Sequence, residues 1–167
     1  MTPSPRRTLG FTLVELIVII LLLGILSAYA ASRYSGTSSL AALTSQQEIL
    51  ASLRLTQNRA MQRTGFCNRW VLTANQAGPV STKKSAANCA NQDFEQQDAG
   101  FFDAKLNGVN LAMVTETGQT YLDFDSLGRV AQCGTEVEVC TISIFSATDQ
   151  RQVCINREGY IYACEAH

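Results

Sequence analysis

Hydrophobic and polar positions fall into three regimes along this chain. From residue 11 to 31 nearly every position is apolar, and Glu15 is the single ionisable group in the run. A helix of about 20 such residues spans a hydrocarbon core of about 30 Å. Leu40, Leu43, Ile49, Leu50, Leu53 and Met61 then recur at three- and four-residue steps, with Gln46, Gln47, Glu48, Arg54 and Arg59 between them. That spacing predicts an amphipathic helix with one apolar stripe. No proline interrupts residues 33–63 and Gly65 is a stop signal, so the simplest expectation is one helix over 11–63, about 80 Å long. Two helices with a hinge near Gly36 are the alternative.

From Phe66 the period becomes that of strands. Segments 66–73, 101–106, 109–116, 121–124, 136–146, 152–155 and 160–164 are rich in β-branched and aromatic residues. Asn107-Gly108, Thr117-Gly118, Leu127-Gly128 and Glu158-Gly159 punctuate them as hairpin turns. Residues 74–100 are polar, alanine-rich and weakly patterned, and read as a long loop bearing Cys89. The expected fold class is α+β, a long N-terminal helix packed against an antiparallel β-sheet head.

The chain has 167 residues, enough for one domain and an anchor, with a formal net charge of −1. That balance offers nothing to a polyanion, and no basic stripe with interleaved aromatics is present, so no nucleic-acid partner is expected. Six cysteines, Cys67, Cys89, Cys133, Cys140, Cys154 and Cys164, all follow the apolar run. An even number confined to one side suggests an oxidising compartment and structural disulfides. Proximity favours Cys67–Cys89, Cys133–Cys140 and Cys154–Cys164, with swapped pairing among the last four as the alternative. No C-x-x-C pair occurs and the only histidine is His167. Neither a metal site, a cofactor nor a Ser-His-Asp arrangement is expected, and the protein reads as no enzyme. Asp123 and Asp125 form the sharpest acidic pair, on one strand face. Lys83-Lys84 marks an exposed loop, and Trp70 reads as a core residue rather than a surface aromatic.

Arg6 and Arg7 precede the apolar run, and by the positive-inside rule they hold the short N-terminus in the cytoplasm. A plain signal anchor accounts for these features. A secretory signal peptide adds the A-x-A cleavage site Ala28-Tyr29-Ala30. Neither has a use for Glu15, since a carboxylate inside a bilayer costs about 3 kcal/mol on insertion scales. The string Gly10-Phe11-Thr12-Leu13-Val14-Glu15 resembles the processing site of type IV prepilins and type II secretion pseudopilins. The resemblance implies cleavage between Gly10 and Phe11 by a prepilin peptidase, N-methylation of Phe11, and an anchor that is kept. It implies that Glu15, four residues from the new amine, neutralises the N-terminus of a neighbouring subunit during assembly. Ser32 stands where many major pilins carry proline, which argues for a straighter helix and a minor subunit.

The string Phe124-Asp125-Ser126-Leu127-Gly128-Arg129, followed by the strands around Cys140–Ile144 and Cys154, resembles the GspH/FimT-type minor pilin head. The cysteine-rich tail is similar to that of minor pilins of mannose-sensitive haemagglutinin pili. Together these imply a leader over 1–10, a transmembrane helix over 11–31, its amphipathic continuation over 32–65 and a periplasmic, disulfide-stapled head over 66–167. The implied role is a structural subunit of a pilus, with other pilins, the peptidase and the inner membrane as partners. A GspH-like secretion pseudopilin and an adhesive or ligand-binding tip module are the alternatives.

Overall fold

The computed structural model describes residues 12–33, 37–83, 94, 98–134 and 138–165. The chain divides into two compact units, the second beginning at Ser38. The first holds helix α1 (Leu13–Arg33), which continues through Ser32 as its lack of proline suggests. Each α1 side chain from Leu13 to Tyr29 is exposed. Helix α2 (Thr37–Gln62) opens the second unit, so the amphipathic segment groups with the head. The expected hinge at Gly36 lies outside the described residues.

Among the described residues eight strands follow: β1 (Phe66–Leu72), β2 (Gln76–Lys83), β3 (Phe102–Asp103), β4 (Asn110–Val114), β5 (Tyr121–Phe124), β6 (Val139–Phe145), β7 (Gln150–Asn156) and β8 (Ile161–Cys164). They form two four-stranded antiparallel sheets, ordered β3-β2-β1-β5 and β4-β6-β7-β8. The fold is therefore α+β, with two sheets in the head.

Strand β2 occupies part of the stretch read as loop. Gly78 and Pro79 hid it, because proline normally marks the end of pairing. The register explains its tolerance. Thr73 N–H bonds to the Gln76 carbonyl, and alternation along β1–β2 then directs the backbone of Pro79 away from β1. On that side β3 reaches only Gln76 and Ala77, so the missing N–H of Pro79 costs no ladder bond. The strand expected over 101–106 is correspondingly short, because residues 104–108 form turns.

The core gathers Trp70, Leu72, Leu122 and Phe124 of the first sheet with Ile142, Ile144, Val153, Ile155 and Ile161 of the second, and Ile49, Leu50 and Leu53 of α2. Trp70 is fully buried, as expected of a core residue. The apolar stripe of α2 differs from the expected one. Leu40, Leu43 and Met61 are exposed, whereas Ser45, Gln46, Ser52 and Thr56 are buried. Positions 42, 45, 46, 49, 53, 56 and 60 still repeat at helical spacing, but three of these seven are polar. Most of those groups have protein partners, and Ser45 Oγ is buried without one.

Cys133 is bonded to Cys140 and Cys154 to Cys164, with Cα separations of 5.3 and 5.8 Å. The swapped pairing is not adopted. Cys164 lies opposite Gln152 rather than Cys154, so the second bridge runs diagonally across β7–β8 on one face. Cys67 is also disulfide-bonded; its expected partner, Cys89, lies outside the described residues.

Candidate assembly site

The processing residues Gly10 and Phe11 lie outside the described residues, and the structure picks up the motif one residue later. Thr12 caps α1: its Oγ1 accepts a hydrogen bond from the Glu15 N–H at 3.2 Å, and its carbonyl accepts from the Leu16 N–H. Thr12-Leu13-Val14-Glu15 thus has the spacing of a capping box, with Glu15 in the first turn, where the positive end of the helix dipole favours a carboxylate. Sequence reading assigned Glu15 to assembly and passed over Thr12 as the residue that starts the helix.

Among the described residues no helix is long and apolar enough to cross a membrane. Side chains of α1 are described as far as Tyr29, while the apolar sequence continues to Ala31. Leu13, Val14, Leu16, Leu21, Ile25 and Leu26 stand exposed around its circumference. A helix apolar on all sides requires burial in protein or lipid.

In the head, α2 is tied to its surroundings by polar contacts as well as by its core residues Ile49, Leu50 and Leu53. Gln46 Nε2 donates to the Gln152 carbonyl at 2.7 Å. Ser52 donates to the Gly100 carbonyl and accepts from Trp70 Nε1 at 2.8 Å. Gln57 Nε2 donates to two carbonyls, Gly128 at 2.9 Å and Gly159 at 2.7 Å, so one amide ties together turns that lead into different strands. Arg59 pairs bidentately with Asp98 at 2.6 and 2.9 Å. The Arg59 guanidinium, more than burial opposes it, holds the Asp98 carboxyl below its ordinary range, helped by the Gly100 N–H.

The acidic pair singled out from the sequence is consumed by cations. Asp123 takes a bidentate bond from Arg69 at 2.6 and 2.8 Å and a third from Gln132. Hydrogen bonding to Asp123 raises the Arg69 pKa despite burial, and its guanidinium lies 3.7 Å from the centre of the Tyr121 ring. Asp125 accepts from the N–H groups of Leu127 and Arg129 and from Arg129 Nε, closing the Gly128 turn. Burial pushes the Asp125 pKa up, but these bonds together outweigh it and leave it lowered. A cleft of about 400 Å³ opens between Asp123, Asp125, Arg129, Arg157 and Glu158. Its two aspartates are already neutralised, and among the described residues no cluster suited to a metal ion occurs. Lys83 ends β2 and is exposed; Lys84 lies outside the described residues.

An apolar helix with a capped start and a second helix keyed into two antiparallel sheets define a pilin-like architecture. Residues 5–31 match the family model of the prokaryotic N-terminal methylation motif. Among solved structures, the chain is similar to the type IV minor pilin FimU of Pseudomonas aeruginosa (strain PAO1) in space group P21. The identity is 14%, the TM-score 0.51, and the match covers 74% of this chain and 88% of that one. A second crystal form of FimU, in space group P65, matches at 14% identity and a TM-score of 0.45, over 74% and 92% of the two chains. No curated protein sequence matches. The chain therefore carries a prokaryotic N-terminal methylation motif, and its fold is similar to that of the minor pilin FimU.

Proposed function

We propose that this protein is a minor type IV pilin-like subunit with a structural rather than catalytic role, processed by a prepilin peptidase and assembled with other pilins into a filament. The observation that carries the reading is the methylation motif at 5–31, which takes in most of a capped helix that is largely apolar apart from Glu15 in its first turn. As a helix at 1.5 Å per residue, the 21-residue apolar run 11–31 of the sequence would measure about 31 Å, the thickness of a hydrocarbon core. That length supports a single pass through the inner membrane with the head in the periplasm, where oxidation of the cysteines is expected. In the filament α1 exchanges lipid for the helices of neighbouring subunits, and Glu15 meets the methylated amine of the next chain. The FimU-like fold supports a minor rather than a major subunit. Mass spectrometry of the mature N-terminus tests the reading. Methylated Phe11 is the expected first residue; a chain beginning at Ala31 would instead make the apolar run a discarded signal peptide.

A further inference from the structure

The strand registers fix which turns of the head share an end with the start of α2. Gln46, early in α2, bonds to Gln152 at the start of β7, and Gln57 reaches Gly128 and Gly159, beyond the far ends of β5 and β7. Helix α2 therefore runs in the direction of β5 and β7. Strand β6 is antiparallel to β7 and β4 to β6, so β4 begins at the end of the head where α2 begins. By the same count through β1, β2 also begins there, and β3 pairs with its first two residues, Gln76 and Ala77. Residues 104–109, which join β3 to β4, accordingly lie at that end.

This turn is tightly bonded and holds a leucine out from the head. Asp103 Oδ1 accepts from the Leu106 N–H at 3.0 Å, and the Asp103 carbonyl accepts from Asn107 Nδ2 at 2.9 Å. The Lys105 carbonyl accepts from the Gly108 N–H at 3.2 Å and the Ala104 carbonyl from the Val109 N–H at 3.0 Å. Leu106 is 87% exposed, more than any other large apolar side chain among the described residues. Leu40 and Leu43 stand exposed on the first two turns of α2, at the same end. A leucine exposed singly needs no explanation; one fixed outward by its turn, at an end that exposes two more, is a surface to be covered.

We propose that Leu106 enters the lipid interface of the membrane that holds the anchor, with Leu40 and Leu43 facing the same surface, so that the head is docked on phospholipid before it is assembled. What selects lipid as the occupant is the tether. Tyr34, Ser35 and Gly36 join Arg33 to Thr37, a reach of at most about 15 Å. With α1 in the bilayer, the start of α2 is kept close to the membrane surface; in this the docking rests on the anchoring proposed above. One leucine binds a bilayer weakly, but the anchor makes the contact intramolecular and raises its effective concentration. Lys105 and Glu165, exposed at this end with opposite charges, offset each other, so the contact is apolar and needs no acidic headgroup. Met61, Leu127 and Tyr160 are also exposed, but they lie at the other end of α2, about 30 Å along the helix from Leu40.

Tryptophan quenching tests this on the full-length protein in phosphatidylcholine vesicles whose acyl chains are brominated near the headgroup. The only native tryptophan, Trp70, is fully buried and sets the background. Leu106→Trp should be quenched several-fold more than Leu127→Trp at the far end; both positions are exposed, so neither substitution disturbs the core. Tryptophan itself favours membrane interfaces, so the identical reporter at 127 is the control. For the native side chain, a photoactivatable phospholipid should label the peptide that carries residue 106 several-fold more in the parent than in Leu106→Ser. Ile20→Trp, within α1, reports the anchor separately and should be quenched. With position 20 quenched, the docking is overturned by equal quenching at 106 and 127, by lipid labelling that Leu106→Ser leaves unchanged, or by no quenching at 106, the result expected if Leu106 meets a neighbouring subunit instead. No quenching at position 20 would remove the anchoring, and the docking with it.

Discussion

Gly159 lies against Gly128 so closely that a β-carbon at 159 would overlap the Gly128 carbonyl oxygen. Both have positive φ, +85° and +78°, and Gln57 bonds the carbonyl of each. Gly159→Ala meets backbone that has no room to yield and adds left-handed strain, so it should cost about 3 kcal/mol or more. Gly128→Ala meets only side-chain atoms of Gln57 and Met61 and should cost about 1–2 kcal/mol. Thermal unfolding of the two variants checks the order; equal losses would contradict the geometry.

The Arg59–Asp98 pair makes head stability depend on pH at the acid end. The folded pKa of Asp98 lies below its ordinary 3.8, so its contribution is fully present above about pH 4 and lost as pH falls through the folded value. Asp98→Asn should lower stability near pH 7 by about 1 kcal/mol, since the pair is partly exposed. The gap to the parent protein should narrow as pH falls below about 4 and through the lowered folded pKa of Asp98. Melting curves of both proteins across that range decide it, and a gap independent of pH would remove Asp98 from the account.

Removing Cys133–Cys140 should be more damaging than removing Cys154–Cys164. The loops are similar, with sequence separations of 7 and 10, so each bridge restricts the unfolded chain by about 2–3 kcal/mol. Cys133 and Cys140 are both fully buried, however, whereas Cys164 is half-buried on the outer face of its sheet. Double serine variants compared by denaturant unfolding should show the larger fall in midpoint for the buried pair, which leaves two hydroxyls in the core.

Glu15→Val should separate insertion from assembly. It removes a charge from an otherwise apolar helix, so membrane insertion should be unchanged or better. Entry into sheared filaments should be lost, because the neighbouring amine no longer meets a carboxylate. Thr12→Ala removes the helix cap and should cost about 1 kcal/mol locally, while leaving the Glu15 carboxylate in place. Normal recovery of Glu15→Val in filaments would contradict its assembly role.

Much of this architecture is legible in the sequence because its signals are local. Richness in β-branched and aromatic residues over 136–146 and 152–155 marks β6 and β7, and the six residues Gly10 to Glu15 lie within the matched methylation motif. What escapes the sequence depends on distant partners. Gln57 is an ordinary polar helical residue until the fold brings Gly128 and Gly159 to it, 71 and 102 residues away. Ser52 and Thr56 sit on the buried face where an apolar stripe is expected, because carbonyls and the Trp70 indole provide partners for serine. Pro79 disguises a strand, because its tolerance depends on where β3 stops.

The polar seam along α2 also has a mechanical consequence. Gln46, Ser52, Gln57 and Arg59 grip the head at points spread over about 20 Å of helix. A pull along the helix axis loads these bonds together, in shear, instead of peeling them off one at a time. Donors seated on particular carbonyls resist sliding and rotation alike, in addition to the interdigitated packing of the apolar side chains. Traction on α2 is thereby passed to both sheets at once, and the head bears it as a single rigid load.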